Sequence, residues 1–157
     1  RLLVRQPCLA LLRFTRDQIA VEITEGVLLN DSPTVRSRLA MLKLVGVQFT
    51  IDDFGIGYSS MSYLKKFKVD FLKIDQSFVK DMMHSADSTV FAETIIVMAH
   101  KLGLEVIAEG VETVEQRDWL RAKECDYAQG FLFSEAATAE RFTEMLEAGR
   151  RRKSPIC

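Results

Sequence analysis

Residues 47–60, with the sequence VQFTIDDFGIGYSS, decide the fold of this chain. Apolar side chains alternate with polar ones up to Asp52, and this period of two predicts a β-strand with one face covered by helices. The acidic pair Asp52 and Asp53 ends the strand, and a glycine-bearing loop that opens a helix follows it. Parallel α/β folds place ligands and catalytic groups at such strand-to-helix turns.

The same kind of segment recurs along the chain. The five predicted strands are Ile19–Thr24, Val47–Asp52, Phe71–Asp75, Leu104–Glu109 and Ala128–Phe133. Apolar residues at helical spacing predict the intervening helices, which are Thr34–Val45, a short helix from Met61, Asp87–Leu102, Thr113–Lys123 and the alanine-rich residues 136–148. Alternating strands and helices suit right-handed crossovers, so we expect an α/β chain with five parallel strand–helix units.

Each predicted strand has one apolar and one polar face. In an open doubly wound sheet both faces meet helices, and both are therefore apolar. A polar second face is instead typical of a barrel wall whose inner surface leads to a site. The sequence therefore favours a barrel wall over an open sheet.

Polar side chains collect at the C-terminal ends of the predicted strands, on one rim. They are Glu22, Asp52, Asp53, Lys73, Glu109 and Gln129. Converging carboxylates repel one another unless divalent cations neutralise them, and oxygen ligands without His or Cys favour Mg²⁺ or Mn²⁺ over zinc. The pair Asp52 and Asp53 suits a two-metal cluster that activates water for phosphodiester hydrolysis. A single carboxylate at a strand end is usually a helix cap or a solvated turn residue, but a collection on one rim favours the metal interpretation.

Five motifs carry a resemblance to a known family. In chain order they read EITE (22–25), DDFGIGYSS (52–60), LKID (72–75), AEGVE (108–112) and QGFLF (129–133). Together they closely resemble the EAL domain family, the bacterial cyclic di-GMP phosphodiesterases, over nearly all of residues 19–145. The resemblance implies a modified TIM-type barrel that uses Mg²⁺ or Mn²⁺ to hydrolyse cyclic di-GMP to linear pGpG.

The resemblance also implies a set of metal ligands. Glu22 and Asp52 would bind the first metal ion, with Asp52 bridging to the second. Asp53 would assist at the second ion, and Gln129 would hold a metal-bound water. Four strands would thus contribute to one two-metal centre, if Glu109 is counted with them.

Other residues receive catalytic or supporting roles from the same resemblance. Lys73 would orient the attacking water or stabilise phosphate charge. Glu109 would serve the second metal or act as general base. The residues implied to brace the loop or to contact substrate are Glu25, Gly55, Gly57, Ser59, Ser60 and Glu112.

The chain departs from the family pattern in several places. The Glu-Ala-Leu motif is absent, as is the asparagine that precedes the Glu22 motif by one strand, and both are first-metal ligands in the family. Ile56 stands in place of the usual threonine. Glu135 and Ala136 stand in place of a common Lys-Pro, which affects local substrate contacts.

The length of 157 residues accounts for the missing ligands. A full eight-unit barrel takes about 250 residues, and three further units would add about 90. The chain is therefore interpreted as a partial TIM-type (β/α) barrel, the C-terminal five units of an EAL domain, with weak or absent turnover. On this interpretation residues 1–18 are a remnant of the preceding helix and loop, 19–149 form the barrel portion and 150–157 are a basic tail.

Composition constrains the partners. The 21 basic and 22 acidic side chains nearly balance, and 48% of residues are hydrophobic, which excludes a nucleic-acid arm or a disordered tail. No apolar run reaches the roughly 20 residues of a membrane helix. Three isolated cysteines favour the cytoplasm, although the parent protein could be membrane-anchored. The expected partner is cyclic di-GMP and not DNA or RNA, while upstream sensory or diguanylate cyclase domains and a homodimer through open strand edges are left open.

Two other function classes stand beside the phosphodiesterase. A shortened EAL-like chain could be a non-catalytic sensor of cyclic di-GMP or a protein-interaction module. A phosphoacceptor receiver domain also has five strand–helix units, an acidic pair and a lysine. Its acidic pair belongs on the first strand and its lysine on the last, whereas here they lie on the second and third. That order disfavours the receiver.

Overall fold

The structure is a computed structural model, and its described residues include five β-strands with helices between most of them, in the predicted α/β order. The residues it describes are 20–24, 26–27, 32–57, 64 and 67–152, with the backbone alone at 149–152. The strands are β1 (Ala20–Thr24), β2 (Gln48–Phe54), β3 (Phe71–Ile74), β4 (Glu105–Glu109) and β5 (Tyr127–Gln129). The helices are α1 (Pro33–Leu44), α2 (Gln76–Asp81), α3 (Ala86–Lys101), α4 (Val114–Ala122) and α5 (Ala139–Arg152). The chain divides into two compact units, Arg1–Lys73 and Ile74–Cys157.

The first unit is built on β1 and β2, which pair in parallel with Glu22 opposite Thr50 and Thr24 opposite Asp52. Helix α1 connects them. It begins where the Ser32 side chain accepts a hydrogen bond from the Val35 amide, an N-cap that satisfies one of the free donors of the first turn. The parallel register places side chains from both strands on the same face of the sheet.

A carboxylate fastens the N-terminal end of β2. Asp70, which immediately precedes β3, accepts a hydrogen bond from the Phe49 amide at 2.7 Å through Oδ2, and its own amide donates to the Phe49 carbonyl at 2.9 Å. Lys43, in the last turn of α1, forms an ion pair with the same carboxylate. One side chain therefore links the end of a helix to the start of the strand that follows it.

The second unit repeats this arrangement. Strands β4 and β5 pair in parallel, and Asp126 precedes β5 as Asp70 precedes β3. The Asp126 carboxylate accepts from the Val106 amide at 2.8 Å and lies 2.9 Å from His100 Nε2, in the last turn of α3. The second unit thus uses the same linkage, with an imidazole in place of an ammonium group.

The predicted apolar face is buried. Its members with at most 8% exposure are Ile23, Val47, Phe49, Ile51, Leu72, Ile74, Leu104, Val106 and Ala108. Burial of a single large aliphatic or aromatic side chain of this kind stabilises a fold by about 1.5–3 kcal/mol. Of the polar face, Thr50, Lys73 and Asp75 are also buried, which requires that they find polar partners.

The structure corrects three details of the predicted elements. The last strand ends at Gln129 and not at Phe133, because the chain turns at Gly130 and residues 131–133 form turns. A six-residue helix over Gln76–Asp81 was not expected. Helix α5 begins at Ala139 and continues to Arg152, whereas the predicted helix covers residues 136–148.

The short helix predicted from Met61 lies mostly outside the described residues. None of the helices in the described part of the chain combines the length and apolar character that a bilayer-spanning segment requires.

Candidate functional site

In the first unit a buried lysine joins two predicted carboxylates. Lys73 Nζ lies 3.3 Å from Glu22 Oε1 and 2.9 Å from Asp52 Oδ1. The lysine is only 3% exposed, whereas the Glu22 side chain is about half-exposed and that of Asp52 about a quarter. Burial of an ammonium group is costly unless carboxylates neutralise it, so this cluster is held together by charge.

Strand pairing brings these side chains together. The register between β1 and β2 places Glu22 and Asp52 on one face, because both lie an even number of residues from Ala20 and its partner Gln48. Lys73 lies on β3, which neighbours β2 in the sheet. Three adjacent strands therefore deliver the three groups, as the period-two pattern predicts.

Asp53 lies beside this cluster in an unusual backbone conformation. Its φ of 55° falls in the left-handed region, which is uncommon for a residue other than glycine. This turn interrupts the alternation of β2, and a carboxylate oxygen of Asp53 lies within 4.8 Å of one from Asp52. Two neighbouring carboxylates that an ordinary strand would send to opposite faces can thus serve one site.

The donor set of the first unit fits a hard divalent cation. Glu22, Asp52 and Asp53 offer carboxylate oxygens, which are the ligands that Mg²⁺ and Mn²⁺ prefer. Asp52 Oδ1 is buried, and no hydrogen bond of good geometry from the described residues reaches it, although Lys73 Nζ is near. A buried anionic oxygen in this state is suited to a metal ion.

In the second unit the two predicted residues meet in a hydrogen bond. Gln129 Nε2, at the end of β5, donates to Glu109 Oε1, at the end of β4, at 3.0 Å. The main chain reinforces the pair, because the Val111 amide donates to the Gln129 carbonyl at 3.0 Å and the Leu132 amide donates to the Val111 carbonyl at 3.0 Å. The turn after β4 is therefore fastened to the turn after β5.

Two glycines permit this close approach. A Cβ atom on Gly130 would lie 2.3 Å from both the amide nitrogen and the carbonyl oxygen of Val111, so no side chain fits there. Gly110 has a φ of 76°, and a Cβ atom there would lie 2.8 Å from Cβ of Gln76. Both glycines are thus required by the turns that carry Glu109 and Gln129.

The remaining predicted residues fall into two groups. Gly55 has a φ of 106°, Gly57 is exposed in the bend that follows, and Glu112 is exposed with its amide donating to Gln116 Oε1 at 2.8 Å. Glu25, Ser59 and Ser60 lie outside the described residues. The predicted contacts of this loop with a substrate therefore stay predictions.

Sequence reasoning missed two residues near these clusters. Asp75, in the LKID motif, is buried and caps α2 by accepting from the Ser77 amide at 2.8 Å. Gln116 is also buried and completes a capping box with Thr113 at the start of α4. The Thr-x-x-Gln spacing could have revealed the second, since this pattern marks a helix start.

Comparison with known proteins gives a consistent picture. The EAL domain family model matches residues 6–136. The chain is 41% identical over 137 residues to the cyclic di-GMP phosphodiesterase NbdA of Pseudomonas aeruginosa, covering 87% of this chain and 18% of NbdA. The crystal structure of the EAL domain of Mycobacterium smegmatis DcpA superimposes with a TM-score of 0.84 and 38% identity, over 91% of this chain and 64% of that one.

A second solved structure contains ligands. It is that of Klebsiella pneumoniae BlrP1 with manganese and cyclic di-GMP, with a TM-score of 0.75 and 35% identity over 82% of this chain and 33% of BlrP1. The chain spans only 16% to 22% of the length of the first curated relatives that it matches. These similarities confirm the α/β fold predicted for this chain, which it shares with the TIM-barrel-like EAL domains.

Proposed function

Because this chain belongs to the EAL domain family, we propose that it carries the metal- and water-handling side chains of a phosphodiesterase that hydrolyses cyclic di-GMP to linear pGpG. The observation that carries this proposal is the cluster in the first unit, where Lys73 lies between Glu22 and Asp52 and where Asp53 lies alongside. Similarity to a relative that is a cyclic di-GMP phosphodiesterase supports the choice of substrate.

The carboxylates of the first unit would hold the cation, which we propose to be Mg²⁺ or Mn²⁺. Glu22 and Asp52 would bind one ion, and Asp52 and Asp53 would bind a second. Glu109 would serve the second ion or act as general base, and Gln129 would hold a metal-bound water. Bound divalent ions lower the pKa of water and stabilise the charge of the attacking and leaving oxygens.

Lys73 would act on charge within this site. Its ammonium group is fixed by two carboxylates, so it can donate to a phosphate oxygen or to the attacking water without reorganising. The same contacts limit the repulsion between Glu22 and Asp52 before a cation binds. Lys73 is therefore proposed as a catalytic residue with an additional structural role.

Glu109 is proposed as the general base. Its Oε1 accepts a hydrogen bond from the Gln129 side-chain amide, and the carboxylate oriented in this way would take a proton from the attacking water. The loop residues Gly55, Gly57 and Glu112, together with Glu25, Ser59 and Ser60, are proposed to order the loop or to contact the nucleotide.

The proposal is tested by titrating the chain with Mn²⁺ in a calorimeter and by following cyclic di-GMP hydrolysis chromatographically. We expect Mn²⁺ binding that Asp52→Asn weakens by about 10- to 100-fold. Turnover is expected to be slow, since the sequence contains no Glu-Ala-Leu motif. Asp118→Asn is the matched control, because Asp118 is an exposed aspartate paired with Arg117. Absence of Mn²⁺ binding, or equal binding by Asp52→Asn, would contradict the proposal.

A second candidate function follows from the same missing motif. A chain with an incomplete set of first-metal ligands could bind cyclic di-GMP without cleaving it, as a sensor or a protein-interaction module. Calorimetry with the nucleotide and Ca²⁺ distinguishes the two. Binding without hydrolysis under Mg²⁺ or Mn²⁺ supports the sensor, and hydrolysis supports the enzyme.

The cellular setting is part of the same proposal. We expect the chain to act in the cytoplasm, where a nucleotide second messenger is available. Its domain limits (1–18, 19–149 and 150–157), a homodimer, and neighbouring sensory or diguanylate cyclase domains in a longer parent protein are also proposed. The small share of its relatives' length that the chain covers is compatible with such neighbours.

A further inference from the structure

We propose that Gln116 is a positioning residue for the Glu109–Gln129 pair, acting through the turn that contains Val111. The inference rests on the proposed function because only that function makes Glu109 and Gln129 site residues. The hydrogen bonds from which it is argued do not depend on a bound metal. All the groups involved lie in the second unit. Gln116 is not one of the residues that the family resemblance assigns to the site.

Gln116 uses both ends of its side-chain amide. Its Oε1 accepts from the amides of Glu112 at 2.8 Å and Thr113 at 3.0 Å. Its Nε2 donates to the Val79 carbonyl, in α2, at 3.1 Å. The side chain is 4% exposed, so each of these bonds is shielded from water and costly to lose.

The turn that Gln116 holds is the one that connects the two site residues. Val111, fully buried, precedes Glu112 and binds the main chain on both sides of Gly130, through the Gln129 carbonyl and the Leu132 amide. Val111 and Gly130 are in close main-chain contact, since a Cβ atom added to Gly130 would lie 2.3 Å from Val111. A displacement at Glu112 would therefore pass to Val111 and from there to Gln129.

Glu109 is close to the same turn along the chain. It lies two residues before Val111, and Gly110 between them is packed against Gln76. The 3.0 Å bond from Gln129 Nε2 to Glu109 Oε1 thus depends on a turn whose position is set from one side by Gly130 and from the other by Gln116.

Two substitutions separate positioning from stability. Gln116→Met has a similar length but offers neither acceptor nor donor, so the turn loses its tether. Gln116→Glu keeps a carboxylate oxygen for the amides of Glu112 and Thr113, and as a carboxylate it loses the donor to Val79. Both variants are expected to be less stable than the parent chain. Only Gln116→Met is expected to disturb the site pair.

The first measurement is made by NMR on the metal-free, uniformly ¹⁵N-labelled chain. We expect Gln116→Met to shift and broaden the side-chain amide signal of Gln129 and to speed hydrogen exchange at Val111 about tenfold or more. Gln116→Glu is expected to leave both close to those of the parent. The control is Ile96→Val, which removes one methyl group from a buried residue of α3 and none of the hydrogen bonds that hold the turn. Should Gln116→Met fail to fold, Gln116→Asn, too short to reach both amides, takes its place.

The second measurement is the Mn²⁺ affinity of the same variants. Loss of a group that orients a metal ligand typically weakens affinity by about 10- to 100-fold, and we expect this for Gln116→Met but not for Gln116→Glu or Ile96→Val. An unchanged Gln129 side-chain signal in Gln116→Met would overturn the inference. If the NMR changes occur while no variant binds Mn²⁺, the positioning role stands and the proposed function fails.

Discussion

The two clusters of site residues are held in different ways. In the first unit, Glu22 and Asp52 are joined through the buried ammonium group of Lys73, by charge between side chains. In the second unit, Glu109 and Gln129 share one hydrogen bond between partly exposed side chains, and their positions come from main-chain bonds around Val111. The first cluster is therefore sensitive to substitutions that change charge. The second is sensitive to substitutions that add atoms where the main chain is closely packed.

This difference matches the chemistry proposed for each cluster. Carboxylates that bind a cation need a counter-charge while the cation is away, and the ammonium group of Lys73 supplies one to Glu22 and Asp52. A general base needs a fixed direction more than a neighbouring charge, and the main chain supplies that rigidity at low entropic cost. Substitutions that attack only charge or only backbone should therefore separate the two units.

The largest effect is expected from Gly130→Ala. The new methyl group would lie 2.3 Å from the main chain of Val111, which is fully buried and cannot yield. We expect a loss of about 3 kcal/mol or more in the free energy of unfolding, measured by urea denaturation. A stable Gly130→Ala chain with an intact Gln129 signal would refute the view that backbone packing holds the second cluster.

Lys73→Met should produce the next largest effect, and it tests the first cluster alone. The substitution leaves Asp52 and Glu22 without the ammonium group that they share. We expect the free energy of unfolding to fall by about 2 kcal/mol and not more, because both carboxylates retain some exposure to water. Millimolar Mg²⁺ should restore part of this stability in the variant. Lys101→Met, at an exposed lysine of α3, is the control and should show no such rescue. Equal responses to Mg²⁺ in the two variants would count against a charge-held cluster.

A pair of glycines separates backbone strain from lack of space. Gly103 and Gly110 have nearly equal φ values of 74° and 76°. Among the described residues, no atom beyond the chain neighbours of Gly103 lies within 4 Å of a Cβ atom placed there, whereas Cβ of Gln76 lies 2.8 Å from one placed at Gly110. We expect Gly103→Ala to cost about 1 kcal/mol and Gly110→Ala about 2 kcal/mol, by thermal unfolding. Equal costs would show that the turn after β4 can relax.

At the opposite end of the strands the two units are alike, and substitutions there should have similar and smaller effects. Asp70→Asn and Asp126→Asn each weaken bonds to a strand amide and to a basic side chain of the preceding helix. We expect each to cost about 1 kcal/mol, with Asp70 slightly more affected because its partner Lys43 is an ammonium group where that of Asp126 is an imidazole. A large difference between them, measured by urea denaturation, would mean that the two linkages are not equivalent.

The sequence predicted the fold and the site to different depths. The period-two pattern of β1 and β2 predicted that Glu22 and Asp52 would share a face, since parallel pairing leaves little choice of register where one face is buried. The left-handed turn at Asp53 and the hydrogen bond between Glu109 and Gln129 could not be predicted from the sequence, because they depend on tertiary contacts between turns.

Local signals failed where tertiary packing determined the outcome. Phe131 and Phe133 favour a strand by composition, but the close contact between Gly130 and Val111 ends β5 at Gln129. Asp75 was predicted as the last residue of a strand, yet it caps a helix too short to show a period. The metal ligands stay predictions, since a carboxylate at a strand end has the same local sequence whether it binds an ion or water.

Ionisation of the Cys125 thiol is expected to have the smallest effect on the free energy of unfolding at neutral pH. This thiol lies against main-chain carbonyls of the second unit, so its titration tests the packing of the main chain there. Its Sγ lies 3.3 Å from the Tyr127 carbonyl and 3.7 Å from that of Val106, and burial raises its pKa from 9.0 to about 11. In the unfolded chain the thiol ionises near pH 9, whereas in the folded chain it stays neutral until about pH 11. The folded state is therefore unaffected below pH 9 and loses stability as the pH rises towards 11, by an amount on the order of 1 kcal/mol. Unfolding of the parent chain and of Cys125→Ala should be compared at pH 8 and at pH 10.5, so that other groups titrating in this range cancel. The gap between the two free energies of unfolding should narrow with pH, and a constant gap would show that the thiol is not protected by the main chain around it.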